Sequence, residues 1–171
     1  KTIADIGIIG LPNAGKSSLL AAITNANPKI ANYEFTTLNP NLGVARYDDK
    51  EITIADIPGL VEGAHKGIGL GIQFLKHIER CKSLLHLIDI TNNDLEEAYH
   101  QVKNELKNYS PDLLKKRELI VLNKTDLIDE EQAEEIKDKF SKKINGEVLT
   151  LSTFKKESVS KIKAKLISYV S

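Results

Sequence analysis

The stretch Gly10-Leu11-Pro12-Asn13-Ala14-Gly15-Lys16-Ser17 reads G-x-x-x-x-G-K-S. Residue types in this order suit a loop that wraps an anion. Glycines let backbone N–H groups turn inward, and a helix opening at the end of the loop adds the positive end of its dipole. In such a loop Lys16 neutralises terminal phosphates and the Ser17 hydroxyl ligates Mg²⁺. What separates this from a chance glycine-rich turn is context, because the loop must follow a strand and open a helix. Both conditions are met: Ile3 to Ile9 is an apolar run, and Ser18-Leu19-Leu20-Ala21-Ala22-Ile23 is helical in character.

Three further motifs follow in chain order. Asn32 to Gly43 contains Thr36 and Thr37, either of which can bring a hydroxyl to Mg²⁺ from a loop that releases it after phosphate loss; spacing does not separate the two. Asp56-Ile57-Pro58-Gly59 leaves the apolar segment Ile52-Thr53-Ile54-Ala55. There a carboxylate can hold Mg²⁺ through its water shell, and the Gly59 N–H can meet a γ-phosphate. Asn123-Lys124-Thr125-Asp126 closes another apolar run. The Asp126 carboxylate can accept both the ring N–H and the exocyclic amine of guanine, an edge that adenine lacks. Lys124 would cover the base with its aliphatic stem, and Asn123 would tie this loop to the first one.

The elements that must position these loops are legible in the periodicity. Strands are predicted at Ile3 to Ile9, Leu42 to Tyr47, Glu51 to Asp56, Ser83 to Ile90, Glu118 to Asn123 and Glu147 to Leu151. They alternate with segments of helical period, the pattern of a mostly parallel sheet with helices on both faces. Asp48-Asp49-Lys50 is too short for a crossover, so the second and third strands form one antiparallel hairpin at the edge. Helical stripes are Leu95, Ala98, Val102 and Leu106; Ala133, Ile136 and Phe140; and Val159, Ile162, Leu166 and Ile167. Asn25 to Pro40 and Pro58 to Gly71 carry neither period, and long loops of that kind in a compact domain are usually functional. Length, 171 residues with 41% hydrophobic, predicts one domain over 1–171.

With 24 basic and 24 acidic residues there is no net field to draw nucleic acid or an anionic membrane, and no run is long enough to span a bilayer. Cys81 alone makes no internal disulfide and is expected as a small buried residue on a helix beside Ile78, which fits a reducing, cytoplasmic setting. The chain begins at Lys1 and contains no methionine, so it is expected to be a piece of a longer protein.

Taken together, GLPNAGKSSLL, FTTLNPNLGVARYDD, ADIPGLVEGAHKGIGLGIQFLKHIER and NKTDL resemble translation-factor-related P-loop GTPases, and within them the Obg family. The resemblance implies a GTPase G domain with a six-stranded, mostly parallel α/β sheet. Gly10, Leu11, Pro12, Asn13, Ala14, Gly15, Lys16 and Ser17 bind the phosphates, and Ser17 and Thr37 ligate Mg²⁺ with Asp56 behind water. Phe35, Thr36, Thr37, Leu38 and Asn39 form the first switch; Asp56, Ile57, Pro58 and Gly59 begin the second; Asn123, Lys124, Thr125 and Asp126 read guanine. Ser152-Thr153-Phe154 stands where the family has a Ser-Ala pair whose backbone meets the guanine oxygen, with Thr153 in place of alanine. Hydrolysis is assigned to Lys16, Thr37, Gly59 and Asn13. Obg proteins carry a glycine-rich domain ahead of the GTPase domain, expected here in the parent protein and absent from this chain. The family is associated with ribosomal large-subunit assembly and stress signalling, and the expected domain is a monomer.

Ras-like enzymes place a glutamine directly after D-x-x-G to orient water; here Leu60 cannot, so slow intrinsic hydrolysis is expected. Asn13 resembles the asparagine of GTPases that bind K⁺ beside the phosphates, the alternative being a residue chosen for loop conformation. His65 is a second group near the γ-phosphate, or simply solvated. His77 and His86 are expected to pack, and His100 to lie on a helix surface. Two readings remain from the sequence: a hydrolysing switch, and a GTP/GDP-binding interaction module that needs a partner to hydrolyse.

Overall fold

A computed structural model of the chain describes residues 4–24, 29–30, 41–56, 76, 78–144 and 146–170. The strands are β1 (Ala4–Ile9), β2 (Lys29–Ile30), β3 (Asn41–Tyr47), β4 (Lys50–Asp56), β5 (Cys81–Asp89), β6 (Arg117–Asn123) and β7 (Val148–Thr150). The helices are α1 (Lys16–Ile23), α2 (Leu95–Tyr109), α3 (Glu130–Ile144) and α4 (Lys156–Val170). The sheet order is β2-β3-β4-β1-β5-β6-β7. β1 pairs in parallel with both β4 and β5, and β5–β6 and β6–β7 are parallel as well.

All six strands expected from the sequence are present. β3 runs antiparallel to β4 from Asn41 opposite Asp56 to Tyr47 opposite Lys50, and Asp48 takes the turn at φ 58. An asparagine or aspartate tolerates that left-handed conformation, which is why a short polar turn suffices. The two-residue β2 pairs outside β3, so the antiparallel strand lies one place in from the edge.

Alternation along the central strands divides the core between two faces. Ile6, Ile8, Leu85, Leu87, Leu119 and Val121 meet α1 and α4 through Leu19, Leu20, Ile23, Val159, Ile162 and Leu166. The intervening residues point the other way: Ile9 and Leu84 meet Val102 and Leu106 of α2, and Ile88, Ile120 and Leu122 meet Ala98, Ala133 and Phe140. α2 starts under an N-cap in which the Asp94 side chain accepts from Glu97 N at 3.0 Å.

Cys81 departs from expectation. It is buried as expected, but it is the first residue of β5, paired with Ala4 of β1, and not part of a helix. Helical spacing to Ile78 does not extend to Cys81 because helical backbone at Ile78 and Glu79 gives way to the strand at residue 81. Burial pushes its thiol up to about 12, against a smaller opposing pull from Lys116, so it is an inert packing group. His86 packs in β5 and His100 is exposed on α2, both as expected; His77 lies outside the described residues.

Candidate functional site

Parallel strands end side by side at their carboxyl edge, and ligands of such sheets bind where chain connections diverge. Here that point is β1: the connection leaving it leads to β3 and β4 on one side, and the connection leaving β4 crosses to β5 on the other. Gly10 to Gly15 fills the turn between β1 and α1. Within it Ala14 N donates to Leu11 O at 3.1 Å, and Asn13 and Gly15 adopt positive φ of 72 and 99. At Gly10 an added Cβ would stand 2.5 Å from the carbonyl oxygen of Leu87, so the loop leaves β1 pressed against β5. Gly15 is the N-cap of α1 with no side chain bonded over the helix end, which leaves its first N–H groups for a ligand.

Lys16 and Ser17 open α1 and both meet Asp56 at the end of β4. Ser17 Oγ donates to Asp56 Oδ2 at 3.0 Å, and Lys16 Nζ lies 3.9 Å from Asp56 Oδ1. Burial lowers the Lys16 pKa from its ordinary value, while Asp56 works in the opposite direction. The other Asp56 oxygen, Oδ1, is buried and has no hydrogen-bond partner among the described residues. A buried carboxylate oxygen without a donor beside a serine hydroxyl is an all-oxygen set suited to a hard cation and its water shell, so these residues fit Mg²⁺. Thr37, the remaining expected ligand, lies outside the described residues, as do Phe35, Thr36, Leu38, Asn39, Ile57, Pro58, Gly59, Leu60 and His65.

The loop after β6 is fastened to the first loop from 109 residues away in sequence. Buried Asn123 donates from Nδ2 to Ala14 O at 2.9 Å. A Cβ at Gly15 would come within 2.5 Å of that same Nδ2, so only glycine permits the approach. Lys124, at φ 69, reaches Asn13 O with its Nζ at 2.6 Å. Thr125 is turned toward the scaffold, its N and Oγ1 both 3.2 Å from Leu151 O. Asp126 is exposed, and its Oδ1 accepts from buried Ser152 Oγ at 2.9 Å. Ser152 in turn is placed by its N–H, which donates to Ser158 Oγ at 2.9 Å, and by Phe154 N at 3.4 Å from its hydroxyl. The loop 152–154 therefore stands against Asp126, with Thr153 half-buried and the Phe154 side chain 85% exposed.

Two groups of residues escaped sequence reasoning. Asp89 closes β5 opposite Asn123 in register, and its Oδ2 lies 3.0 Å from Lys124 Nζ. The signal was available, since Asp89 ends an apolar strand as Asn123 does. A second group, buried His86 with Glu118 at 3.0 Å and Lys103 with Glu118 at 2.9 Å, anchors α2 to β5 and β6. A cavity of about 240 Å³ lined by Leu11, Asn13, Ala14, Leu87 and Asp89 adjoins the first loop, but Lys16, Ser17 and Asp126 do not line it. Asn13 and Asp89 thus face this cavity, whereas Lys16 and Ser17 stand on α1 and Asp126 on the loop after β6.

A glycine loop at the turn from β1 to α1, joined by side-chain hydrogen bonds to an Asn-Lys-x-Asp loop at the end of β6, defines the GTPase class of P-loop domains. Comparison with known proteins agrees. The family model described as 50S ribosome-binding GTPase matches residues 5–124, and the chain belongs to that family. It is 75% identical over 171 residues to GTPase Obg of Pelagibacter ubique (strain HTCC1062), covering 100% of this chain and 52% of that protein. To GTPase Obg of Rickettsia felis it is 53% identical over 162 residues, covering 95% of this chain and 49% of that protein. The chain thus spans about half the length of the curated relatives it matches. Among solved structures, the G domain of the T. maritima FeoB iron transporter superposes with a TM-score of 0.69 at 21% identity, covering 97% of this chain and 98% of that one. The cytosolic domain of the same transporter in apo form gives 0.74 at 20% identity, covering 97% and 63%; both likenesses concern the fold alone. No helix among the described residues is long and apolar enough to cross a membrane.

Proposed function

We propose that this domain binds GTP and GDP, hydrolyses GTP slowly, and serves as a nucleotide-dependent switch. The observation that carries the reading is the pair of bonds from Asn123 to Ala14 O and from Lys124 to Asn13 O, which make one body of the phosphate loop and the base loop. A nucleotide spanning both is then held at its two ends by a preorganised frame. Gly10 to Ser17 take the phosphates, Lys16 offsets their charge, Asp126 accepts from the guanine edge, and Ser152 orients Asp126. Ser152, Thr153 and Phe154, which follow the neighbouring parallel strand β7 at the same edge of the sheet, would border the base beside Asp126.

Ser17 and Asp56 would hold Mg²⁺, which neutralises charge on the β- and γ-phosphates when bound. From sequence, Thr37 is assigned to Mg²⁺ with Ser17, and the Gly59 N–H to the γ-phosphate. Because Leu60 offers no hydrogen bond to water, the chain's own contribution to hydrolysis is positioning and electrostatic. Asn13 is the residue through which K⁺ would act. The wider role, in large-subunit assembly and stress response in the cytoplasm, rests on resemblance to Obg proteins. A partner that supplies the missing group would turn a slow nucleotide-binding module into an efficient hydrolase.

The guanine assignment is tested by Asp126→Asn, which is expected to move preference from GDP toward XDP, because the amide can donate to the xanthine carbonyl. Retention of full GDP selectivity would refute it. Single-turnover hydrolysis on the same chain separates a slow hydrolase from a module that only binds.

A further inference from the structure

We propose that Asp89 is a positioning residue for guanine-nucleotide binding, acting through Lys124; the inference rests on the reading of Lys124 as the residue that covers the base. The Lys124 ammonium has two partners, Asn13 O at 2.6 Å and Asp89 Oδ2 at 3.0 Å. A neutral carbonyl alone leaves a long, flexible lysine free to swing toward phosphate or solvent, whereas a carboxylate on the neighbouring strand supplies the opposing charge. Asp89 is itself held. Its Oδ1 accepts from Thr91 N at 2.9 Å and from Thr91 Oγ1 at 2.7 Å, leaving Oδ2 aimed at the lysine.

Register explains how the pair forms. Asp89 and Asn123 are opposite one another at the ends of parallel β5 and β6, so the next residue after Asn123 starts beside the Asp89 carboxylate. Lys124 leaves the strand at φ 69, a conformation rarely taken by a non-glycine residue, and spans from there to the phosphate loop. With its ammonium anchored at two points, the aliphatic stem is set in place before nucleotide arrives. Asp89 thereby reduces the ordering cost of binding and links the end of β5 to both nucleotide loops.

The test is a cycle of GDP dissociation constants, measured by calorimetry on this chain for wild type, Asp89→Asn, Lys124→Met and the double variant. Lys124→Met keeps the stem and removes the ammonium. Asp89→Asn is expected to weaken GDP about fivefold, a modest value because both side chains are partly exposed, and to do so only when Lys124 is present. Asp89→Glu, which keeps the charge, is expected to restore part of the affinity, and Thr91→Val, which removes only one support of the carboxylate, to change it little. Equal loss of affinity from Asp89→Asn in the Lys124 and Met backgrounds, or no loss at all, would overturn the proposal. So would a Thr91→Val variant that weakens GDP as much as Asp89→Asn, since the loop and not the ion pair would then be responsible. Failure of the guanine reading itself looks different: wild type would bind ADP as tightly as GDP.

Discussion

Replacing Asn123 probes the joint between the two nucleotide loops. Its Nδ2 donates to Ala14 O at 2.9 Å in a site where Asn123 is 2% exposed. Asn123→Ala leaves that carbonyl without its donor in a dry environment, a cost of about 1–3 kcal/mol. The same side chain carries a buried Oδ1 with no partner among the described residues, and truncation removes that unsatisfied atom too. The net loss therefore falls at the lower end, about 1–2 kcal/mol. Asn123→Asp keeps the shape but turns an acceptor toward the Ala14 carbonyl and buries a charge, so the loss rises to about 3 kcal/mol or more at neutral pH. The sign with pH is distinctive. The carboxyl of that variant has a folded pKa above its unfolded one, so its penalty shrinks as pH falls from the folded value toward the unfolded value, when a protonated oxygen can donate to Ala14. Urea denaturation of the nucleotide-free chain measures the stability, and calorimetry with GDP measures the transmitted effect. The expected order is wild type, then Asn123→Ala, then Asn123→Asp in both. If Asn123→Asp matches or exceeds Asn123→Ala at neutral pH, or if both lie within about 0.5 kcal/mol of wild type, the hydrogen bond is not the joint.

Other consequences can be measured directly. For Glu118, burial alone raises the carboxyl pKa, but the hydrogen bonds and charges of His86 and Lys103 outweigh it and hold it below the ordinary value. Its stabilisation is complete above about pH 4.3, the unfolded value, and is lost as pH falls through the lower folded value; the deficit of Glu118→Gln, about 2 kcal/mol at neutral pH, narrows in acid, and a deficit that does not change with pH in urea titrations would contradict this. The chain has no tryptophan, so Phe154→Trp gives a single reporter beside Asp126, expected to be quenched when GDP stacks near it; unchanged emission with intact GDP binding would remove Phe154 from the base site. Hydrolysis compared in KCl and NaCl tests Asn13, and equal rates would leave it a loop-forming residue only.

Local sequence determined much of this protein because local physics determines loops and strands. G-x-x-x-x-G-K-S between an apolar run and a helix prescribes an anion-wrapping turn, and period-two apolar segments prescribe central strands with two covered faces. The proposal that Asp126 reads guanine comes from sequence for the same reason: a carboxylate matches the guanine edge whatever surrounds it. Tertiary structure alone decided what lies opposite what. Strand register places Asp89 beside Lys124, the reach of Asn123 to Ala14 crosses 109 residues, and Ser152 meets Asp126 only because β6 and β7 end together. Cys81 was misplaced on a helix because apolar spacing cannot mark the residue at which a helical turn gives way to a strand. Side chains that act by pairing across the sheet carry no local period, so their partners become visible only once the strands are aligned.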